Sequence, residues 1–570
     1  MSSLVEIKDL TISFPEGDSN FEAVRNISFQ IQDGEIVGVV GESGSGKSMS
    51  ALALMGLLKK HAQISSGEIL FRGQNLLEMS QEQRRKLQGS EMAMVFQEPM
   101  TSLNPVMKIG KQVGESLHLH TNLSKEEIHK KVIQALKEVG LSEAEAICQK
   151  YPHELSGGMR QRVMLAQAIV CSPSLIIADE PTTALDVIVQ AQILRLLKKF
   201  NEEKNTSVLF ISHDLNVIKE ICSRVVVMYK GEIVETGDTK EVLTNPKHEY
   251  TRHLVASFPQ QKDHKANGEE VLSMKDLNVY YDIKQGLFSK KGKKQVIHHL
   301  NLSAYDGEIL GIVGESGCGK STLCKTILGL HKNYTGQVHM KDGMRPQMVF
   351  QDPFGSLNPA KTIGWILEEP LKLRGIKDAK ERKQMVASML EDVGLDPSYA
   401  NRKAAELSGG QRQRISIAAA LLMESKFVIA DEPVSALDVT VQSQILNLLL
   451  RLHEERKMTM IFISHDLHVI RSICKRVMVI YKGEIVEEGF AEDVYERPVH
   501  PYTKLLLESI VDDEMRAENK NVVDAAEPIP KGFTGCGFYH RCPKRCEECE
   551  EKKPHRTELG KGHVVRCWNM

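Results

Sequence analysis

The sequence contains no long apolar run. Its longest stretch free of Asp, Glu, Lys and Arg, Val163 to Ala178, is sixteen residues interrupted by Pro173, short of the ~20 apolar residues a membrane-crossing helix requires. Charge of one sign is also missing, since 73 Lys and Arg face 75 Asp and Glu for a formal net charge of −2. Such a chain exerts no global pull on polyanions, so neither a nucleic-acid coat nor a nucleic-acid partner is expected. The N-terminal MSSLVEIKDLTISF sets Glu6, Lys8 and Asp9 in a strand-like alternation instead of a basic end and apolar core, so no secretion signal is expected. Cysteine is sparse over most of the chain: six of eleven are scattered, and Cys536, Cys542, Cys546, Cys549 and Cys567 crowd into the last 35 residues. In a chain without an export signal, that cluster points to metal binding before disulfides. With 41% hydrophobic and 26% charged residues, the composition is that of a globular protein, and at about 150 residues per domain several compact units are expected.

The chain says nearly the same thing twice. GESGSGKS from Gly41 recurs as GESGCGKS from Gly314, FQEPMTSLNP from Phe96 as FQDPFGSLNP from Phe350, and ELSGGMRQR from Glu154 as ELSGGQRQR from Glu406. IADEPTTALDV from Ile177 recurs from Ile429 as IADEPVSALDV, and FISHDL from Phe210 recurs from Phe462. From the LSGG segment onward the offset is a constant 252 residues, whereas Lys47 and Lys320 are 273 apart. The second copy lacks a counterpart of NLLEMSQEQRRKLQGSEM, between its glycine loop and Gln351. Between the copies, SFPQQKDHKANGEE has no apolar periodicity and reads as a connector. The division is therefore residues 1–256, a linker over 257–270, residues 271–514 and a Cys-rich tail over 515–570. Within each copy, apolar runs such as EIVGVVG, SLIIADE and SVLFISH alternate with amphipathic stretches, the pattern of a parallel sheet covered by helices.

EIVGVVGESGSGKS is a strand, a glycine loop and the start of a helix, and EILGIVGESGCGKS repeats it. The loop residues Gly41, Glu42, Ser43, Gly44, Ser45 and Gly46, and in the second copy Gly314, Glu315, Ser316, Gly317, Cys318 and Gly319, turn backbone N–H groups onto phosphate oxygens. Lys47 and Lys320 add a point charge, and Ser48, Ser321 and Thr322 open the helix, with the two serines offering hydroxyls to Mg²⁺. Asp179 with Glu180, and Asp431 with Glu432, end buried strands where ligands of parallel sheets sit. The first carboxylate suits a Mg²⁺ shell and the second an attacking water. His213 and His465 each follow a strand FIS, in reach of a γ phosphate.

These elements resemble the ABC ATPase superfamily, with LSGG as the distinguishing feature. The resemblance implies an α/β fold of two tandem phosphate-loop nucleotide-binding domains. Each would have a RecA-like parallel-sheet core, an antiparallel β subdomain and a helical subdomain. It implies that Ser156, Gly157 and Gly158 complete the ATP site on Lys320, and Ser408, Gly409 and Gly410 the one on Lys47. Gln97 and Gln351 would sense Mg²⁺, Asp186 and Asp438 would lie in loops coupling the sites, and Phe14 and Tyr281 would stack on adenine. Both copies keep every catalytic position, so two hydrolytic sites are expected, with Met159 standing where the other copy has Gln411.

FQEP or FQDP before SLNP, YPHELSGGMRQR, and a His-x-Tyr-Thr element at His248–Thr251 and His500–Thr503 resemble the ATPase subunits of oligopeptide, dipeptide and nickel importers. A lysine-rich insertion at Lys290 to Lys294 fits that group as well, and reads as a solvated hairpin tip. The resemblance implies peptide import at the cytoplasmic face of the inner membrane, with two permease subunits and an extracytoplasmic binding protein as partners. Glutathione, nickel or metal chelators are the alternative cargoes. A soluble tandem ABC protein acting on ribosomes is the alternative of another class, disfavoured by the short connector and C-terminal cysteines. In the tail, Cys536, Cys542, Cys549 and Cys567 match cysteines that in some relatives hold an iron–sulfur cluster. Four thiolates also suit Zn²⁺, and Cys546 is an extra thiol.

Overall fold

The computed structural model describes residues 3–16, 19–59, 61–183, 185–255, 268–283, 292–435, 437–508, 533–560 and 562–570. Most of the connector, Lys290 and Lys291 of the insertion, and the 514/515 boundary lie outside them. The chain divides into two compact units, Met1–Ser257 with Asp438–Thr440, and Phe258–Leu437 with Val441–Met570.

In the first unit a six-stranded sheet runs in the order Glu232–Asp238, Arg224–Tyr229, Ile36–Val40, Ser207–Ile211, Leu175–Asp179, Met92–Val95. All neighbours are parallel except the first pair. The inner strands are buried on both faces, which is why they read as continuous apolar runs. Alternate residues enter different cores. Ile36, Val40, Ala178 and Phe210 pack on one side with helices Lys125–Glu138 and Gly157–Ile169. Val37, Val39, Ile177 and Ile211 pack on the other with the antiparallel strands Ser3–Glu16 and Ser19–Gln32. These are the parallel core, helical layer and antiparallel layer expected from the sequence.

The second unit repeats the plan with one subtraction and one addition. Its antiparallel sheet has three strands, because the first unit spends the extra segment on strand Gln74–Asn75 and on helix Gln81–Leu87, closed by a Ser80–Gln83 capping box. Its main sheet grows to eight strands, as His563–Val565 pairs with Glu484–Phe490 and Thr557–Gly560 pairs outside it. The described part of the tail therefore belongs to the second unit. It is fastened by Lys553–Glu484 and Arg556–Glu488 ion pairs and by His563 Nε2 at 2.8 Å from Glu487. Among the described residues no helix is long and apolar enough to cross a membrane.

The metal centre expected in the tail finds no support in the described residues. Among the described residues no group of three or more His, Cys, Asp or Glu is placed to hold a metal. Cys546 and Cys549 place their sulfurs 3.3 Å from each other, and the Cys567 thiol donates to the Asn569 carbonyl at 3.4 Å. Burial, and to a lesser degree the nearby Cys549, Cys542 and Cys567 thiols, push the Cys536 thiol up to about 12. A bound cluster or zinc on these thiols is thus unsupported among the described residues. The tail is held instead by strand pairing, ion pairs and the buried Phe538.

Candidate active site

Parallel strands put their carboxyl ends on one edge of a sheet, and four of those ends carry the residues singled out above. Val40 runs into Gly41, Val95 toward Gln97, Asp179 into Glu180 and Ile211 toward His213. Val313, Val349, Asp431 and Ile463 deliver Gly314, Gln351, Glu432 and His465 in the second unit.

At Gly41 φ is 152° and a Cβ would lie 2.1 Å from the Met228 carbonyl, so only glycine lets the loop leave its strand here. The Lys47 ammonium donates to the carbonyls of Gly41 and Glu42, both at 2.8 Å, and that of Lys320 to Gly314 at 2.6 Å and Glu315 at 3.0 Å. Ser43, Gly44, Ser316 and Gly317 form the exposed rim of each loop. The Ser45 hydroxyl is buried with no partner among the described residues, as a group awaiting a ligand oxygen would be. Cys318 replaces it in the second unit, with its sulfur 3.9 Å from the Lys320 ammonium.

The Ser48 hydroxyl donates to Asp179 Oδ1 at 2.9 Å. Two cis oxygens on an octahedral Mg²⁺ with bonds of 2.0–2.1 Å are themselves about 2.9 Å apart, so this pair fits the ion without rearrangement. Ser321 likewise bonds Asp431. Glu180 Oε2 accepts from Gln97 Nε2 and from Thr183 Oγ1, both at 2.9 Å, and lies 3.1 Å from His213 Nδ1. Glu432 Oε2 accepts from Gln351 at 2.7 Å and lies 3.3 Å from His465 Nδ1. Both glutamates have left-handed backbones, φ 46° and 47°, strain characteristic of functional positions.

Burial pushes the Glu180 carboxyl up, but its hydrogen bond and charge pairing with His213, helped by the Thr183 hydrogen bond and the Lys47 charge, outweigh burial and hold it below the usual range. His213 is raised, because Glu180 outweighs the lowering effect of burial. Glu432 and His465 shift in the same directions for the same reasons, the Thr183 bond apart. Each pair therefore stabilises the fold fully between about pH 4.3 and 6.5, the ordinary values of the two groups. That contribution is lost as pH falls through the lowered carboxyl value or rises through the raised imidazole value. In His213→Ala the carboxyl loses its depressing partner while staying buried, so the acid limb of the pH–rate profile should move to higher pH. An unmoved limb would show that the His213 contact does not set the Glu180 ionisation.

The LSGG segments start helices Gly157–Ile169 and Gly409–Leu421, where the Ser156 and Ser408 hydroxyls accept from the amides of Met159 and Gln411, each at 3.3 Å. Gln411 Oε1 also accepts from the Ser408 amide at 3.0 Å, completing a capping box that Met159 is unable to make. Met159→Gln should therefore raise the first unit's stability by about 0.5–1 kcal/mol, read as a shift in its unfolding midpoint. Asp186 caps helix Val187–Lys204, accepting from the Val189 amide at 3.0 Å, and Asp438 directly precedes helix Val439–Arg456. Phe14 faces Phe21 across its strand pair, and Phe21 is the more exposed. Tyr281 lies against His331, with its hydroxyl 3.4 Å from Thr322 in the first turn of the phosphate-loop helix.

Four further contributors lie in the repeated motifs without having been given a role from the sequence. Thr183 bonds the Glu180 carboxylate, while its counterpart Ser435 donates to the Glu432 carbonyl at 2.9 Å. Tyr250 and Tyr502 accept through their hydroxyls from the amides of Glu42 and Glu315, both at 2.9 Å, bracing each phosphate loop. The repeated His-x-Tyr-Thr element was the signal for these two. His248 and His500 fix the tyrosine backbones by accepting from their amides at 3.2 and 3.0 Å.

A family model described as ABC transporter matches residues 24–183 and 297–435. The C-terminal region of oligopeptide/dipeptide transporters matches residues 234–278 and 486–549. The chain is 41% identical to the glutathione import ATP-binding protein GsiA of Salmonella paratyphi A over 581 residues, covering 93% of each protein. The protein of the same name from Escherichia coli (strain K12) is 41% identical over 580 residues, again covering 93% of both. Among solved structures, a dimeric ATP-binding cassette in a post-hydrolysis state bound to ADP and phosphate matches with 30% identity and a TM-score of 0.38, over 41% of this chain and 98% of its own. With two copies of the nucleotide core and this extent of identity, the chain belongs to the ABC transporter ATP-binding proteins, as an ATPase with two fused nucleotide-binding domains and the oligopeptide/dipeptide-type C-terminal region.

Proposed function

We propose that the chain powers an importer of short peptides of the glutathione class, acting at the cytoplasmic face of the membrane with two permease subunits and an extracytoplasmic binding protein. The observation that carries this reading is the 41% identity, over 93% of both chains, to proteins named for glutathione import. Larger peptides, nickel and metal chelators are the competing cargoes.

In this reading Lys47 and Lys320 exchange their loop carbonyls for the β and γ phosphates of ATP, the substrate. Ser48 with Asp179, and Ser321 with Asp431, hold Mg²⁺, and Gln97 and Gln351 release their glutamates to reach its shell. Bound there, Mg²⁺ neutralises phosphate charge. Glu180 and Glu432 orient the attacking water and accept its proton, and His213 and His465, already on those carboxylates, steady the γ-phosphate side. Ser156, Gly157 and Gly158 complete the Lys320 site, and Ser408, Gly409 and Gly410 the Lys47 site. Gly157 supports this: its φ is not positive and a Cβ there would meet nothing within 4 Å, so its own unit gives no reason for glycine.

Reconstitution with the two permease subunits and the binding protein tests the cargo. Reduced glutathione should stimulate ATP hydrolysis more than longer peptides do. Stimulation by nickel or a metal chelate, with none by glutathione, would overturn the proposal.

A further inference from the structure

The two phosphate loops are braced alike at their glutamates except where the tail reaches the second. Each loop glutamate donates its amide to a tyrosine hydroxyl and lends its carbonyl to the loop lysine. Behind each tyrosine stands a second one: Tyr229 lies 4.2 Å from Tyr250 and Tyr481 lies 4.6 Å from Tyr502, centroid to centroid. In the second unit Phe538 of the tail is buried against this pair and His500, with ring centroids 5.2 Å from Tyr481, 5.6 Å from Tyr502 and 5.8 Å from His500. That anchor starts the short turn Tyr539–Arg541. The Arg541 guanidinium, 7% exposed, donates through Nη1 to both carboxylate oxygens of Glu315, at 2.9 and 3.1 Å. Among the described residues Glu42, its first-unit counterpart, has no ion pair.

We infer that Arg541 is a positioning residue for the second phosphate loop, so that nucleotide binding at Lys320 depends on the docked Cys-rich tail while binding at Lys47 does not. Glu315 is held at three points: its amide by Tyr502, its carbonyl by Lys320 and its carboxylate by Arg541. Arg541 thus acts one residue away from the carbonyl that Lys320 must leave to meet a phosphate. A charge pair with so little solvent access is screened weakly, and removing one partner strands the other. The tail thereby adds an inequivalence to two closely similar sites. This inference rests on nucleotide binding by the phosphate loops and is independent of the cargo.

The test is photolabelling of the full chain with an ATP analogue under non-hydrolysing conditions, titrated and mapped to each phosphate loop. Arg541→Met, which keeps the stem and removes the charge, should raise the concentration for half-labelling near Lys320 by about tenfold and leave that near Lys47 unchanged. Arg541→Lys should restore part of the loss, which a role in packing alone would not require. Because Arg541→Met could loosen the whole tail, Glu315→Gln supplies the loop side of a double-mutant cycle. Arg541→Met should cost little further affinity in the Glu315→Gln background. Equal weakening at both sites, no weakening at either, or full additivity in the cycle would each overturn the inference.

Discussion

Glu180→Gln and Glu432→Gln are each expected to lower steady-state ATP hydrolysis by about 100-fold or more, with MgATP affinity kept within about twofold. The physical ground is the separation of tasks along the strand edge. Glu180 bonds neither the Lys47 ammonium nor the Ser48–Asp179 pair: its carboxylate faces Gln97, Thr183 and His213, while Lys47 bonds the loop carbonyls and Ser48 bonds Asp179. A glutamine keeps the length and shape of the side chain but is unable to accept a proton from water. Lys47→Ala and Lys320→Ala should do the opposite and weaken nucleotide binding, because each deletes the charge facing the phosphates. If either glutamine variant turned over ATP within about twofold of the parent, the base assignment in that half would be wrong. Adding His213→Ala to Glu180→Gln should cost little more than Glu180→Gln alone, since residues that act as a unit are not additive.

The glutamate, glutamine, lysine and histidine of each site were legible in the sequence because each lies within two residues of a strand end or in a glycine loop. Local patterns of that kind survive without knowledge of the tertiary fold. Tyr250 and Arg541 were not legible in the same way. Tyr250 meets Glu42 across 208 positions, and Arg541 meets Glu315 across 226. No spacing rule connects residues so far apart, and only the repetition of the His-x-Tyr-Thr element hinted at the first pair. The cysteine tail is the reverse case. Residue type named a ligand set, while what visibly shapes the segment, strand pairing with Glu484–Phe490 and the Phe538 anchor, follows from no residue-type rule. The missing segment of the second copy was located correctly from motif spacing. Its consequence, three antiparallel strands in place of four, required knowing that Gln74–Asn75 pairs with Gln63–Phe71.

Gly157→Ala should separate stability from hydrolysis in opposite directions. The position opens a helix, its backbone is not left-handed, and a Cβ there meets nothing within 4 Å, so alanine should leave the first unit as stable as before or slightly more so. ATP hydrolysis should nevertheless fall by about 100-fold, because the role proposed for Gly157 is to let backbone amides approach the γ phosphate of the nucleotide held at Lys320. Gly158 gives no such separation, since a Cβ there would lie 3.0 Å from Val189 and cost packing as well. The assignment of each signature to the opposite phosphate loop is tested by a crossed pair. Ser408→Arg should impair photolabelling near Lys47 and Ser156→Arg near Lys320, each by placing a bulky side chain where the opposite γ phosphate is expected. Should Ser408→Arg impair labelling only near Lys320, each half would use its own signature and the composite reading would be excluded. Should Gly157→Ala lose stability and activity together, the glycine would be structural, and the openness around it would have no bearing on catalysis.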